Sequence, residues 1–270
     1  MTRVRLDQLL TDRGLARSRA EAQAFILAGD VVLEGAATRR LKPGQLVEAQ
    51  VGLSIVERPR WASRAGAKLD HALDAFAIDP TGFACLDAGA STGGFTDVLL
   101  SRGARIVYAV DVGRAQLIDR LRRDPRVVSM ERTNLRELRE LPELIDLATL
   151  DLSFISLGAV LGPVRQLLGE AGRVVALVKP QFEAGREAVP RGGVVREPVV
   201  WERVLDEVAE AAGRAGLHAH RAIPSPIAGG DGNVEFLADL RQAPAAAGAY
   251  ARSVAEALTR VASRGSEAGG

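Results

Sequence analysis

The sequence predicts an α/β fold: a seven-stranded, mostly parallel sheet with helices on both faces, preceded by a small α+β domain. Three observations carry that prediction. From residue 65 onward, short apolar runs alternate with segments of helical periodicity, the pattern of a parallel sheet built from crossover units. Residues 85–97, C-L-D-A-G-A-S-T-G-G-F-T-D, read as strand, glycine turn and helix, the first βα unit of such a sheet, where a ligand sits outside the carboxyl end of the strand. Residues 1–57 instead read as two short helices and a strand, without the alternation that follows.

Composition narrows the class. With 270 residues, 47% apolar and 26% charged, the chain is long enough for one large or two modest domains with a sizeable core. No apolar run approaches the roughly 20 residues of a membrane span, and the N-terminus runs into Asp7 and Leu9-Leu10 without a secretory apolar region. The single cysteine, Cys85, excludes a disulfide framework or a cysteine metal site and fits a reducing cytoplasm. His71, His218 and His220 have no partners at metal-ligand spacing and read as structural, so no metal is expected. Of 35 basic residues only Lys42, Lys68 and Lys179 are lysine. In so arginine-biased a chain a retained lysine points to chemistry that arginine, which does not deprotonate in proteins, cannot do.

In the first domain, Leu6, Leu9 and Leu10 share one helical face and Gly14 is placed to end that helix. Ser18 caps a second helix, with Glu21 completing a capping box. Ala22, Phe25 and Ile26 form its apolar face, Gly29 ends it, and residues 31–33 alternate as a strand toward a turn at Gly35. The first 68 residues hold 12 basic and 7 acidic side chains in a chain of net charge +1. A charge run is usually a solvated face, but concentration of the basic excess here, with Arg13, Arg17 and Arg19 clustered between the helices, favours a surface that meets phosphate. Pro59 pushes Arg58 into extended backbone, so residues 58–64 are expected to be a linker. Trp61 within it is read as an interdomain packing residue rather than a base-stacking platform.

The second domain, residues 65–242, opens on a helix carrying Leu69, Leu73 and Phe76. After the strand and turn at 85–97 come a strand at 105–110 ending in Asp111, a helix at 114–122, and a strand at 127–130 leading to Thr133-Asn134. A strand at 145–150 ends in Asp151, a helix covers 164–168, and a strand at 174–178 ends in Lys179-Pro180. A helix at 199–212 and strands at 218–223 and 234–240 complete the pattern, and residues 243–270 read as one helix and a frayed tail. Gly89, Asp111, Asn134, Asp151 and Lys179 each follow a strand, and the carboxyl ends of parallel strands share one edge of the sheet. Each alone would be a turn former; five together mark a site. A dinucleotide fold would show G-x-G-x-x-G, whereas the glycines here stand at 89, 93 and 94 with serine at 91. Chemistry at a weakly acidic hydroxyl calls for a neutral lysine as base or a cation at the oxygen. Asp151 and Lys179 at adjacent strand ends, with Lys68 and Glu235, could supply either.

Resemblances to known families extend this reading. Arg5-Leu6-Asp7, Gly14-Leu15, Ser18-Arg19, Ala22, Ile26, Gly29 and Val31 resemble, over about 50 residues, the S-four-like RNA-binding domain first described in a ribosomal protein. That resemblance implies that Arg5, Arg13, Arg17 and Arg19 grip phosphates of structured RNA. The turn Asp87-x-Gly89-x-x-x-Gly93 resembles the first motif of S-adenosylmethionine-dependent methyltransferases. By that likeness Asp87 and the turn Gly89, Ala90, Ser91, Thr92, Gly93, Gly94 and Phe95 hold the methionine part of the cofactor, Asp111 the ribose, and Asn134 lies beside the adenine. Through S-R-A-G-A-K-L at Ser63, D-L-S-F-I-S-L at Asp151, V-K-P-Q-F-E at Val178 and G-N-V-E-F at Gly232, residues 3–240 resemble the TlyA ribosomal RNA 2′-O-methyltransferases, long labelled hemolysin A. Their methyltransferase domain is similar to the FtsJ-like class, a Rossmann-like class I fold, whose lysine, aspartate, lysine, glutamate tetrad falls on Lys68, Asp151, Lys179 and Glu235. Ala65 departs from the glycine usual in the family but leaves Lys68 in register. The resemblance implies a cytidine ribose in ribosomal RNA of one or both subunits as substrate, and a cytoplasmic monomer. Arg64 at the linker, and Arg186 and Arg191 in a glycine-bearing loop at 183–198, are expected to touch that RNA. An RNA-binding assembly factor with a vestigial cofactor fold is the alternative from the binding class. A membrane-lytic protein, as the old label suggests, has neither a span nor a signal segment to support it.

Overall fold

Two hydrophobic clusters on opposite faces of one sheet organise most of the chain. The computed structural model describes residues 3–28, 31–33, 41–55, 60–114, 116–185, 187–229 and 232–267. It divides into two compact units, Met1–Pro59 and Arg60–Gly270. Gly29, Gly35, Arg58, Pro59 and Arg186, named above, lie outside the described residues.

The first unit contains β1 (Arg3–Arg5), α1 (Leu6–Asp12), α2 (Arg19–Ala28), β2 (Val31–Leu33), β3 (Leu46–Glu48) and β4 (Leu53–Ile55). Strand β1 pairs antiparallel with β3, and β2 antiparallel with β4. Leu6, Leu9 and Leu10 of α1 meet Ala22 and Ile26 of α2 in a small core, as their helical spacing requires. The Ser18 hydroxyl accepts the Glu21 amide, one half of the expected capping box. The other half differs: the Glu21 carboxylate accepts from the Arg17 amide and guanidinium, one residue before the cap.

In the second unit, α3 (Ala65–Ala75) precedes β5 (Ala84–Ala88), α4 (Gly94–Ser101), β6 (Ile106–Asp111), α5 (Asp119–Arg122) and β7 (Val127–Glu131). Then follow β8 (Ile145–Leu150), a 3-10 turn at Leu157–Ala159, α6 (Leu161–Leu167), β9 (Leu168–Val178) and α7 (Pro180–Glu183). Helix α8 (Pro198–Arg214), β10 (His218–Pro224), β11 (Phe236–Arg241) and α9 (Ala249–Glu267) close the chain. Among the described residues the sheet has seven strands in the order β10-β11-β9-β8-β5-β6-β7. The run from β9 to β7 is parallel, and β11 is antiparallel to both neighbours. Successive residues of β9 alternate between the two core clusters, Val174, Ala176 and Val178 on one face and Val175 and Leu177 on the other, so both faces are covered by helices. The chain moves outward from β5 through β6 to β7 and then returns to place β8 on the other side of β5. That reversal is the topological switch point at which α/β sheets bind ligands.

Four expected segments differ. The helix predicted for 114–122 survives only as the four residues of α5, because the segment after Asp111 turns back at Gly113 and its backbone amides are then held by acceptors on other elements. The Ile118 amide donates to Thr92 and the Gln116 amide to Glu131. The helix predicted for 164–168 begins earlier, through the 3-10 turn and α6. Strand β9 starts six residues before its apolar run, since Gly169 and Gly172 accommodate a register irregularity against β8 that carries the ladder onward. Residues 60–64, expected as linker, are folded into the second unit. Trp61, expected to pack between the domains, packs instead in the core of this unit against Gly66, and the Ala62 amide donates to Asp97.

Candidate active site

Backbone register alone brings the catalytic candidates together. Ala88 pairs with Leu150, so Gly89 and Asp151 lie one residue beyond that pair on neighbouring strands. Phe236 pairs with Val178, which sets Glu235 beside Lys179. The approach between the first two is close: a Cβ on Gly89 would stand 2.3 Å from the Asp151 carbonyl oxygen, and its φ of 86° disfavours any side chain. Gly94 serves likewise at the other flank, where a Cβ would meet the Ser63 hydroxyl at 2.3 Å and the Gly66 amide at 3.1 Å. The glycine turn therefore abuts both the strand end carrying Asp151 and the start of α3, which carries Lys68.

The four polar candidates form two ion pairs. The Lys179 ammonium donates to Asp151 at 2.6 Å and to the Ser153 hydroxyl at 3.1 Å, and lies 5.9 Å from the Phe182 ring centroid. The Lys68 ammonium donates to Glu235. Both lysines are only 8% exposed. Burial would be costly for isolated charges and is tolerated here because each has a carboxylate partner.

Beside these pairs, a cavity of about 370 Å³ opens at the switch point. Gly89, Ser91, Asp111, Asn134 and Asp151 line it, and Leu135, Leu152 and Phe154 give it apolar walls. Asp111 organises its floor: one carboxylate oxygen accepts the Ser91 amide at 2.8 Å and the other the Gly113 amide at 2.6 Å. Asn134 donates to Glu137 and accepts the Arg136 amide. Ala90, Thr92, Gly93, Gly94 and Phe95 do not line the cavity; they build the turn and the first residues of α4, with Phe95 in the core.

Asp87 is placed differently from the other donor-side residues. Its side chain is fully buried in β5, where one carboxylate oxygen accepts both the amide and the hydroxyl of Thr96 at 2.8 and 2.6 Å, fastening the start of α4. Its second oxygen, Oδ1, has no partner among the described residues. Burial pushes its carboxyl up to about 7, against the lowering effect of the Thr96 bonds. The Asp87 carboxylate lies outside the cavity. Lined by the Asp111 and Asp151 carboxylates and by apolar side chains, the cavity fits a cofactor that carries ribose hydroxyls and a cationic centre on one part and an aromatic ring on another. S-adenosylmethionine has that character. The neighbouring Cys85 is no nucleophile, since burial raises its thiol far above neutrality.

The loop carrying Asp151 is closed from behind by a residue that sequence reasoning passed over. The Glu183 carboxylate accepts the Ser156 hydroxyl at 2.7 Å and the Leu157 amide at 2.9 Å, and burial raises its pKa. The Phe154 and Phe182 rings meet between these contacts at 5.0 Å, with Phe154 itself 90% exposed and at a φ of 64°. Asn233 ties the end of the glycine loop to the strand that carries Glu235, accepting the Val195 amide and donating to the Gly193 carbonyl. Ser153, Glu183 and Asn233 all lie inside the motifs that carry the family resemblance, so the signal was present without a rule to single them out.

The expected RNA-contacting arginines of the first unit are engaged within it. Arg5 and Arg19 donate to the buried carboxylate of Asp7, which also accepts Gln23. The Arg5 hydrogen bond leads in holding that carboxyl well below the usual range. Arg13 donates to the carbonyls of Ala49 and Val51. Arg17 pairs with Glu21 but keeps its side chain 93% exposed. In the second unit, Arg64 and Arg191 are exposed.

A Rossmann-like sheet with a glycine turn, a cavity at its switch point and two lysine-carboxylate pairs defines the class of S-adenosylmethionine-dependent methyltransferases. The chain belongs to the FtsJ-like methyltransferase family, whose model matches residues 61–242. It is 47% identical over 245 residues to the 16S/23S rRNA (cytidine-2′-O)-methyltransferase TlyA of Mycobacterium tuberculosis, covering 88% of this chain and 90% of that one. It is 38% identical over 241 residues to Hemolysin A of Brachyspira hyodysenteriae, covering 87% and 98%. A solved structure from Streptococcus thermophilus that bears the hemolysin label superposes with a TM-score of 0.74 at 40% identity, covering 99% of this chain and 98% of that one. Among the described residues no helix is long and apolar enough to cross a membrane.

Proposed function

We propose that this chain methylates the 2′-hydroxyl of a cytidine ribose in ribosomal RNA, using S-adenosylmethionine. The observation that carries the reading is the pairing of Lys179 with Asp151, and of Lys68 with Glu235, beside the cavity at the switch point. Bound in that cavity, S-adenosylmethionine supplies an electrophilic methyl group. Asp111 is suited to its ribose hydroxyls and the slot bounded by Asn134 and Leu135 to its adenine, while Asp87, buried beneath the turn, holds the start of α4 in place.

A ribose hydroxyl is a poor acid, so transfer to it requires stabilisation of the oxygen as its proton leaves. Lys179, anchored by Asp151, presents a cation to that oxygen, and Lys68, anchored by Glu235, adds a second. The hydroxyl proton would pass to solvent while the two lysines meet the charge left on the oxygen, and the methyl group would come from the bound cofactor, which would leave as the neutral thioether. Burial of both lysines strengthens their field where charge develops. Arg64, Arg191 and the arginines of the first unit serve the RNA backbone, and the first unit, with its basic excess, docks the ribosomal subunit. The protein works in the cytoplasm as a monomer.

The direct test supplies purified protein with separate small and large ribosomal subunits and methyl-labelled cofactor, then maps the label by nuclease digestion. Label on ribose oxygen of a cytidine in either subunit is expected. Label on a base, or none on either subunit, overturns the reading.

A further inference from the structure

An ammonium group has three N–H donors, and the number already committed decides how freely the group can turn. Among the described residues, Lys68 has one oxygen partner, Glu235. Lys179 has two, Asp151 and Ser153, which arrive on the same loop two residues apart. Two anchors on one ammonium fix rotation about its last bond, so its third N–H has a single direction. Ser153 also lines the cavity in which the donor is proposed to bind, and its side chain is exposed rather than part of the core. It thus stands where donor and acceptor meet while touching the lysine proposed to face the acceptor oxygen.

We propose that Ser153 is a positioning residue for methyl transfer, its hydroxyl acting with Asp151 to aim the remaining N–H of Lys179 at the acceptor oxygen. The inference rests on the ribose-methylation reading. It assigns Ser153 no proton to carry: the hydroxyl accepts from Lys179, and its own hydrogen remains free to turn. The loop is well built for this. Glu183 holds its far end through Ser156 and Leu157, so the Ser153 contact does not have to support the backbone.

The test compares Ser153→Ala and Ser153→Thr with the wild-type protein on ribosomal subunits, measuring kcat, the KM for subunits and the Kd for S-adenosylmethionine by calorimetry. Loss of one anchor is expected to lower kcat about tenfold in S153A, with KM and Kd within about twofold of wild type, while S153T, which keeps the hydroxyl, stays close to wild type. The split between kcat and KM and the rescue by threonine give the second readout. A kcat for S153A within twofold of wild type overturns the proposal. So does equal loss in both variants, or a fall explained by weaker cofactor binding, since each marks a merely structural role. Failure of the functional reading looks different: wild-type protein would then place no label on ribose.

Discussion

At the scale of single residues, the site depends on side chains that chemically similar ones cannot replace. Lysine at 179 offers a compact ammonium that satisfies Asp151 and Ser153 at once. Arginine would carry the same charge on a longer, planar fork that cannot reproduce that geometry. Lys179→Arg is therefore expected to lower kcat by about 100-fold or more with the Kd for S-adenosylmethionine unchanged; single-turnover transfer and calorimetry on the same preparation check the two halves. Asp87 makes a prediction about stability. Its carboxyl is raised to about 7 by burial, so below about pH 4 folded and unfolded chains both hold the proton. As pH rises toward 7 the unfolded chain gives it up first, and folding loses stability until the folded carboxyl has ionised too. The loss is on the order of 4 kcal/mol at most. Asp87→Asn keeps an acceptor for Thr96 and cannot ionise. Urea unfolding at pH 5 and pH 8 should show the variant gaining on wild type as pH rises, and a constant difference would refute the pKa assignment.

At the scale of elements, the glycine turn and the loop after β8 act as one device because Gly89 lets their backbones touch. In Gly89→Ala the new carbon would meet a carbonyl oxygen rather than a flexible side chain. We expect cofactor affinity to fall at least about tenfold, measured by calorimetry, with the sheet still folded by circular dichroism. Glu183→Ala should act from the other end, freeing the Ser156 hydroxyl and the Leu157 amide. Faster hydrogen exchange across residues 152–158 is the expected sign, and unchanged exchange there would remove its role as a clasp. These elements also show what a sequence can disclose. The strand and turn at 84–94, and the strand end at Asp151, were legible because apolar runs ending in glycine or a carboxylate have few other solutions in an α/β chain. Residues 116–118 were not, since their helical spacing lost to hydrogen bonds with the Thr92 carbonyl and the Glu131 carboxylate, which are distant in sequence. The early start of β9 was hidden by glycines that usually mark turns. The pairing of Lys68 with Glu235 spans 167 positions, so the chain order could nominate both residues but not join them.

At the scale of the whole molecule, the first unit holds 9 basic and 7 acidic side chains, an excess of two in a chain of net charge +1, since Arg60, Arg64 and Lys68 of the basic stretch at residues 1–68 belong to the second unit. The first unit's arginines are not equivalent, which the sequence alone could not reveal because Asp7 reads there as one more surface carboxylate. Arg5 and Arg19 compensate a buried charge, so removing either would strip a partner from Asp7 and weaken folding as well as any RNA contact. Arg17 is the informative position. Its pair with Glu21 is solvent-exposed on the arginine side, and such pairs contribute little to stability. If the first unit grips phosphate, each cation it places on the backbone releases condensed counterions and steepens the salt dependence of binding. Arg17→Ala in the full-length protein is then expected to weaken binding to ribosomal subunits. It should also reduce the slope of log affinity against log salt by close to one unit, roughly 0.7 to 0.9, while leaving cofactor affinity and melting temperature in place. Binding curves at four salt concentrations decide it: an unchanged slope in a folded variant would mean that Arg17 faces solvent in the complex, and that the basic excess of this unit reaches the RNA through other residues.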